Sequence, residues 1–381
     1  MSSNRRELLA ALLAAAARAG HAADDAVAIP GKRPMILHND RPEDLETPVR
    51  YFDSWLTPTD AFFVRQHIPR PAPIDAGAYR LALNGRVAKP LQLTLADLLK
   101  LPQRTVPATI ECTGNGRAFY TPKVPGIQWQ RGAIGNAEWS GPAVADVLKL
   151  AGADASAAFL ESDGADTGVA STPDFIRAFP MKKAVDPATI LALRMNGQPI
   201  PDIHGFPVRL IVPGWDGTSF VKWVVRISAA AERNNGFFMN PGYRLPKYNL
   251  PPGSPPNPAE LEVIEAMPVK SCITAPEDRV KLPLGAIAIR GFAWAGEEAI
   301  ERVEVSTDGG SRWQAAELSS PKLPFAWRLF RLDWQPAAPG YYTLLSRATD
   351  TAGRAQPIVA AWNPSGYLWN AIDRVGVTVE K

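Results

Sequence analysis

The stretch Leu250-Pro-Pro-Gly-Ser-Pro-Pro-Asn-Pro258 limits what this chain can fold into more than any other. Proline has no amide proton for a helix or a central strand, so the segment suits only an extended linker. It divides the 381 residues into an amino-terminal part, 24–250, and a carboxy-terminal part, 260–381, with 251–259 between them. That length allows two domains, and 46% hydrophobic with 21% charged residues is a globular composition. Proline stands at 37 residues, well above the usual share of about 5%, which favours β-rich structure with many irregular connections over long helices.

The two parts differ in texture. In the first, residues 78–100 read as a strand, an Asn84-Gly85 turn, a second strand, and a helix opening at Thr94 with Asp97 three residues on. A second helix is predicted from Pro142, with Val144, Val147 and Leu148 inward and Gly152 past its end. Phe206–Val212 and Val221–Ile227 read as strands around a Gly214–Gly217 turn, giving an α+β pattern. Beyond the linker, Val303 and Val305 alternate with polar residues before Thr307-Asp-Gly-Gly310, and Trp313 begins a return strand. Tyr341–Ala348 and Val375–Val379 read as further strands, and this spacing predicts an antiparallel sandwich.

The first 23 residues read as an export signal: Arg5-Arg6 precede an alanine-rich apolar stretch and then Ala22-Ala23. Twin arginines point to the route that carries folded proteins, although Arg18 interrupts the apolar run. An ordinary amphipathic helix is the rival reading. The formal charge of +3 falls by two without the first 22 residues, which hold three arginines against one glutamate, so nothing here points to nucleic acid. No apolar run is long enough to predict a membrane span.

Cys112 and Cys272 lie too far apart to read as a disulfide framework, and no Cys-x-x-Cys-His is present to attach a c-type haem. The four histidines form no zinc-ligand spacing. Cys112 closes an apolar run and opens the polar turn Glu111-Cys-Thr-Gly-Asn-Gly-Arg117, where Gly114 and Gly116 let the backbone bend and Arg117 places a positive charge near the sulfur. A reactive thiolate and a buried free cysteine both fit that context. Arg65 and His67 share one face if Phe63–His67 is extended, with Phe62 and Val64 on the other. His204, Arg209 and Lys222 flank apolar strands, where a buried cation needs an anion; a bound phosphate or nearby acids such as Asp202 and Asp216 would each serve.

Glu111–Arg117 is followed by Gly126-Ile-Gln-Trp129 and Gly132-Ala-Ile-Gly-Asn-Ala-Glu-Trp139. Phe63-Val-Arg-Gln-His67 lies upstream, and His204-Gly-Phe-Pro-Val-Arg209, Lys222-Trp223 and Phe237-Phe-Met239 with Tyr243-Arg244 lie downstream. In this order the blocks resemble the molybdenum-cofactor domain of the sulfite oxidase family, from roughly residue 45 to the carboxy terminus, with bacterial periplasmic sulfite dehydrogenases as the nearest likeness. The resemblance implies an α+β molybdopterin-binding domain followed by an all-β immunoglobulin-like dimerisation domain. It implies Cys112 as the metal ligand and Arg65, Arg117 and Tyr243 on the substrate, with Trp129 walling the pocket and Tyr248 a local competitor of Tyr243. Phe63, His67, Asp163, His204, Arg209, Ser219 and Lys222 would hold the pterin, with His204, Arg209, Lys222 and Ser219 at its phosphate end. One departure is visible: where animal members carry an arginine just before a glycine of the second domain, this chain has Ser365-Gly366.

The activity implied is oxidation of sulfite to sulfate by oxygen-atom transfer, with electrons passed to a c-type cytochrome in the periplasm and no haem in this chain. A homodimer, or a heterodimer with a haem subunit, is the expected assembly. The alternatives are another substrate of the same cofactor (a sulfane, a sulfoxide or nitrate) and an exported binding protein without activity.

Overall fold

The computed structural model describes residues 26–381, so the export signal expected over 1–23 lies outside the described residues. Three short strands, Ala26–Val27, Met35–Asp40 and Glu43–Glu46, form a small sheet at the start of the described chain. The first domain is then built on two larger sheets. One is mixed, in the order Leu91–Leu93, Leu81–Gly85, Val224–Ala230, Phe159–Gly164, Arg177–Pro180, with Val224–Ala230 parallel to Leu81–Gly85. The other places Gln103–Glu111 antiparallel to Ile134–Pro142 and continues through Arg194–Met195 to Gln198–Pro199.

Local sequence explains the helices. Thr94 caps the helix Leu95–Lys100, accepting from the Asp97 amide at 3.1 Å while the Asp97 carboxylate accepts from the Thr94 amide. Val144–Ala151 buries Val144, Val147 and Leu148 and stops at Gly152, whose φ of 64° is the left-handed conformation glycine adopts without a Cβ clash. Two expectations need correction. Asn84-Gly85 ends a strand rather than forming a two-residue turn, because the chain runs on through 86–90 before Leu91–Leu93 returns. Arg209–Ile211 and Val224–Ala230 are not one hairpin either: the first pairs with Ile190–Ala192 and the second joins the mixed sheet, since bends at Gly214 and Trp223 redirect the chain.

The second domain is a sandwich of two sheets, one ordered Lys270–Ala275, Ile287–Trp294, Arg328–Trp334, Glu317–Ser319. The other is ordered Lys281–Pro283, Asp373–Glu380, Gly340–Asp350, Ile300–Ser306, Gln314–Ala315. Val303, Val305, Leu344, Ala348, Val375 and Val377 from one sheet face Ile273, Ile289 and Phe330 from the other, which is the alternation their sequences carry. This is the immunoglobulin-like arrangement expected. A separate aromatic seam joins the two domains, where Phe52 and Ile134 of the first pack with Phe292, Trp294 and Trp327 of the second. Cys272 is buried in that seam as a small hydrophobe.

Candidate active site

The strand Gln103–Glu111 is paired over its whole length with Ile134–Pro142, and its last partner is Ile134 opposite Glu111. Cys112 is the next residue; its amide donates to the Ala133 carbonyl at 2.9 Å, and its carbonyl accepts from the Asn115 amide at 2.8 Å. The hairpin therefore ends by presenting one sulfur on a turn with both backbone groups held. Gly116 makes the turn with φ of 89°, while a Cβ on Gly114 would lie 2.5 Å from the Arg117 guanidinium. The glycine at 114 thus makes room for Arg117 rather than for a ligand.

The Cys112 sulfur opens on a partly enclosed cavity. Phe63, Arg65, His67, Cys112, His204, Arg209, Lys222 and Tyr243 all line it, drawn from the irregular segment after Ala61, the hairpin end, the 202–209 turn, the stretch between Ser219 and Val224 and the loop after Met239. The segment Phe63–His67 is not a regular strand, because Val64 makes a lone bridge with Leu45 and Val64 and Gln66 also reach the cavity.

At the sulfur end, Arg65 donates to the Asp44 carboxylate at 3.2 Å and to the Gln66 carbonyl. Asp44 is buried, and its ion pair holds the guanidinium charged against the cost of burial. His67 stacks on Phe175 at 4.3 Å and hydrogen-bonds the Tyr243 hydroxyl, which places it beside Tyr243 rather than with the cations farther in. Burial, then the charges of Arg65, Lys222 and Arg177, push His67 well below its usual range, so its ring is neutral. Tyr243 has φ of 55°, an uncommon conformation for an aromatic residue, and burial keeps its phenol protonated. Burial also pushes the Cys112 thiol up, with Arg65 and then Arg117 opposing it. Arg117 alone does not ionise the sulfur, so a thiolate here needs a further positive partner such as a metal ion.

At the other end sit Lys32, His204, Arg209 and Lys222. Lys32 donates to the carbonyls of Thr59 and Phe62 at 2.9 and 2.8 Å and lies 2.5 Å from His204 Nε2. Burial, partly offset by Asp60 and reinforced by Arg209, pushes Lys32 down to about 7. Burial and then Arg209 push Lys222 down to about 7, and burial lowers Arg209 and His204 as well. Among the described residues Lys222 Nζ and Arg209 Nε are buried with no hydrogen-bond partner. The acids proposed as alternatives are engaged elsewhere: Asp202 with Arg70, and Asp216 with Thr113, Thr218 and Ser219. Two of these buried cations, Lys222 and Arg209, therefore keep an unpartnered donor, and with His204 and the hydrogen-bonded Lys32 beside them they form a cradle suited to an anion.

The remaining sequence candidates lie off the cavity wall. Asp163 pairs with Arg226 at 2.8 Å. Ser219 donates to Asp216 at 3.1 Å, and its neighbour Thr218 lines the cavity instead. Trp129 is fully buried, edge-on to His38 at 4.7 Å, as core rather than pocket wall. Arg117 donates to the carbonyls of Ser365 and Ile127 and lies 5.5 Å over the Tyr367 ring. Tyr248 is exposed and accepts from the Asn257 amide, which separates it from Tyr243. Lys32, Asp44 and Asp166 escaped sequence reasoning: Lys32 lies outside the recognisable blocks, and the two acids carry no motif of their own.

A dianionic phosphate would satisfy the cradle, and a soft metal would suit the lone sulfur at the opposite end. Among the described residues no group of three or more His, Cys, Asp or Glu is placed to hold a metal unaided, so further donors must arrive with a cofactor. A phosphorylated pterin carrying its own sulfur donors fits both ends. The family model of the oxidoreductase molybdopterin binding domain matches residues 67–238, and that of the Mo-co oxidoreductase dimerisation domain matches 261–380. Fold and site together define a molybdopterin-dependent oxidoreductase, which removes the reading as a binding protein without activity.

The chain belongs to the sulfite oxidase family. It is 35% identical to mitochondrial sulfite oxidase of Mus musculus, over 94% of this chain and 67% of that one. It is 30% identical to sulfite oxidase of Arabidopsis thaliana, over 91% and 94%. The crystal structure of the sulfane dehydrogenase SoxCD from Paracoccus pantotrophus superposes with a TM-score of 0.78 at 31% identity, covering 91% of this chain and 89% of that one.

Proposed function

We propose that this enzyme oxidises sulfite to sulfate at a molybdenum centre held by the Cys112 sulfur. Sulfite and water give sulfate, two protons and two electrons; the molybdenum–pterin group supplies the oxygen-atom exchange and takes up the electron pair. The observation that carries this reading is one cavity with a soft ligand, a guanidinium and a phenol at one end and an unpaired cationic cradle at the other. Arg65, fixed by Asp44, draws the anion in and offsets its charge. Tyr243 donates its phenolic proton toward a substrate oxygen, and neutral His67 fixes the orientation of that hydroxyl. His204, Arg209, Lys222 and Thr218 would hold the phosphate end of the cofactor, and Phe63 lines the same cavity. Arg117 acts from behind the wall by anchoring the second-domain segment at Ser365.

The electrons pass singly to a c-type cytochrome in the periplasm, which the chain reaches after export through its twin-arginine leader. The functional unit is a dimer formed through residues 260–381, with any haem carried by a partner. No described helix is long and apolar enough to cross a membrane. A sulfane substrate is the second reading, favoured by serine rather than a cation at position 365. Steady-state assays of the holoenzyme separate the readings, with oxidised cytochrome c as acceptor for sulfite and a sulfane, and a reduced viologen as donor for a sulfoxide and nitrate. Sulfite as the best substrate supports the first, and a preference for a sulfane, a sulfoxide or nitrate refutes it.

A further inference from the structure

Behind the sulfur, on the side away from the cavity, lies a buried polar cluster that the proposed chemistry does not use. Glu111, directly before Cys112, is 2% exposed. One of its oxygens accepts from Asn115 Nδ2 at 2.9 Å and from the Lys270 ammonium, and the other accepts from Trp294 Nε1 at 2.9 Å. Lys270, 4% exposed, and Trp294, 1% exposed, come from the second domain. They are direct cross-strand partners, so their side chains leave the same face of the sandwich and close on one carboxylate. Asn115 passes the grip on: its side-chain oxygen accepts from the Ala133 amide at 3.1 Å, and its own amide donates to the Cys112 carbonyl. Lys270 also reaches the Asn115 carbonyl at 3.4 Å.

Domain cohesion does not require such a cluster. A buried ion pair is commonly no better for stability than apolar residues of the same size, and the aromatic seam alongside already supplies apolar contact. What the cluster does fix is direction, because three donors on one carboxylate specify its position as packing cannot. We infer that Lys270 and Trp294 are positioning residues for the Cys112 sulfur, acting through Glu111 and Asn115, so that the second domain sets the geometry of the metal ligand in the first. The inference rests on Cys112 as the ligand.

Two variants of the full chain test it, each with two readouts besides activity. Trp294→Phe removes one donor and keeps the ring; Lys270→Met combined with Glu111→Gln removes the charge pair as a unit. In protein from molybdenum-starved cells, Cys112 alkylation by iodoacetamide is expected to rise about fivefold in either variant, the population change that loss of one hydrogen bond produces. The same protein unfolded in denaturant, in which both cysteines react, serves as the reference, because Cys272 packs in the seam with Trp294. In the holoenzyme, the electron paramagnetic resonance signal of the singly reduced metal is expected to split into more than one species. Wild-type Cys112 reactivity and a single wild-type signal in both variants, whatever happens to Tm, would overturn the inference. Should the holoenzyme hold no molybdenum at all, the functional reading fails while the alkylation arm still decides the positioning role.

Discussion

The cationic cradle makes a quantitative demand on the protein without its cofactor. Lys32 and Lys222 are each brought from 10.5 to about 7 in the fold, so between those values the unfolded chain holds protons the folded chain does not. Stability therefore rises with pH through this window, and the penalty is fully present below about 7. From about pH 7 to about pH 8.5 each lysine returns roughly 2 kcal/mol as an upper bound, less for two groups that share Arg209 as a neighbour. Asp166, pushed up to about 6 by burial, titrates below pH 7, and Arg209, lowered to about 9 by burial, joins the rise only toward the upper end of the range. Denaturant unfolding of the cofactor-free full chain across this range should show the rise, and millimolar inorganic phosphate should abolish it by pairing the ammonium groups. Lys222→Met should remove about half of the slope. A flat profile without phosphate, or phosphate no more effective than chloride, refutes the cradle.

Tyr243→Phe removes the phenolic donor but keeps the ring on Phe238 and Tyr367, so kcat should fall about tenfold to a hundredfold with little change in Tm. Arg65→Met strands Asp44 as a buried unpaired carboxylate, and unfolding free energy should drop by about 3 kcal/mol in denaturant titration, along with activity. Asp44→Asn in the same background should restore most of that loss, a result that would separate the ion pair from the substrate role.

The sequence carried the fold because its signals were local. The Thr94/Asp97 box, Gly152 after its helix and the Val303/Val305 alternation each describe a physical requirement met within a few residues. Cys112 was legible for the same reason, as the end of an apolar run followed by a glycine-bearing turn. What stayed hidden was assembled from distant segments: Asp44 reaching Arg65, Lys32 reaching His204 across 172 positions, and Lys270 reaching Glu111 across 159. Asn84-Gly85 misled because a favourable turn dipeptide does not oblige the chain to reverse there, and the register of Leu81 with Leu93 required a longer connection. Trp129 is fully buried and Asp163 pairs with Arg226, surroundings that residue type alone does not reveal.

Oxygen-atom transfer at this site requires the Cys112 sulfur to be bonded to molybdenum. X-ray absorption at the molybdenum edge of the holoenzyme, compared with the Cys112→Ser variant loaded with the same cofactor, tests this directly. One sulfur neighbour fewer in the variant is the predicted result. An unchanged sulfur shell would contradict the assignment.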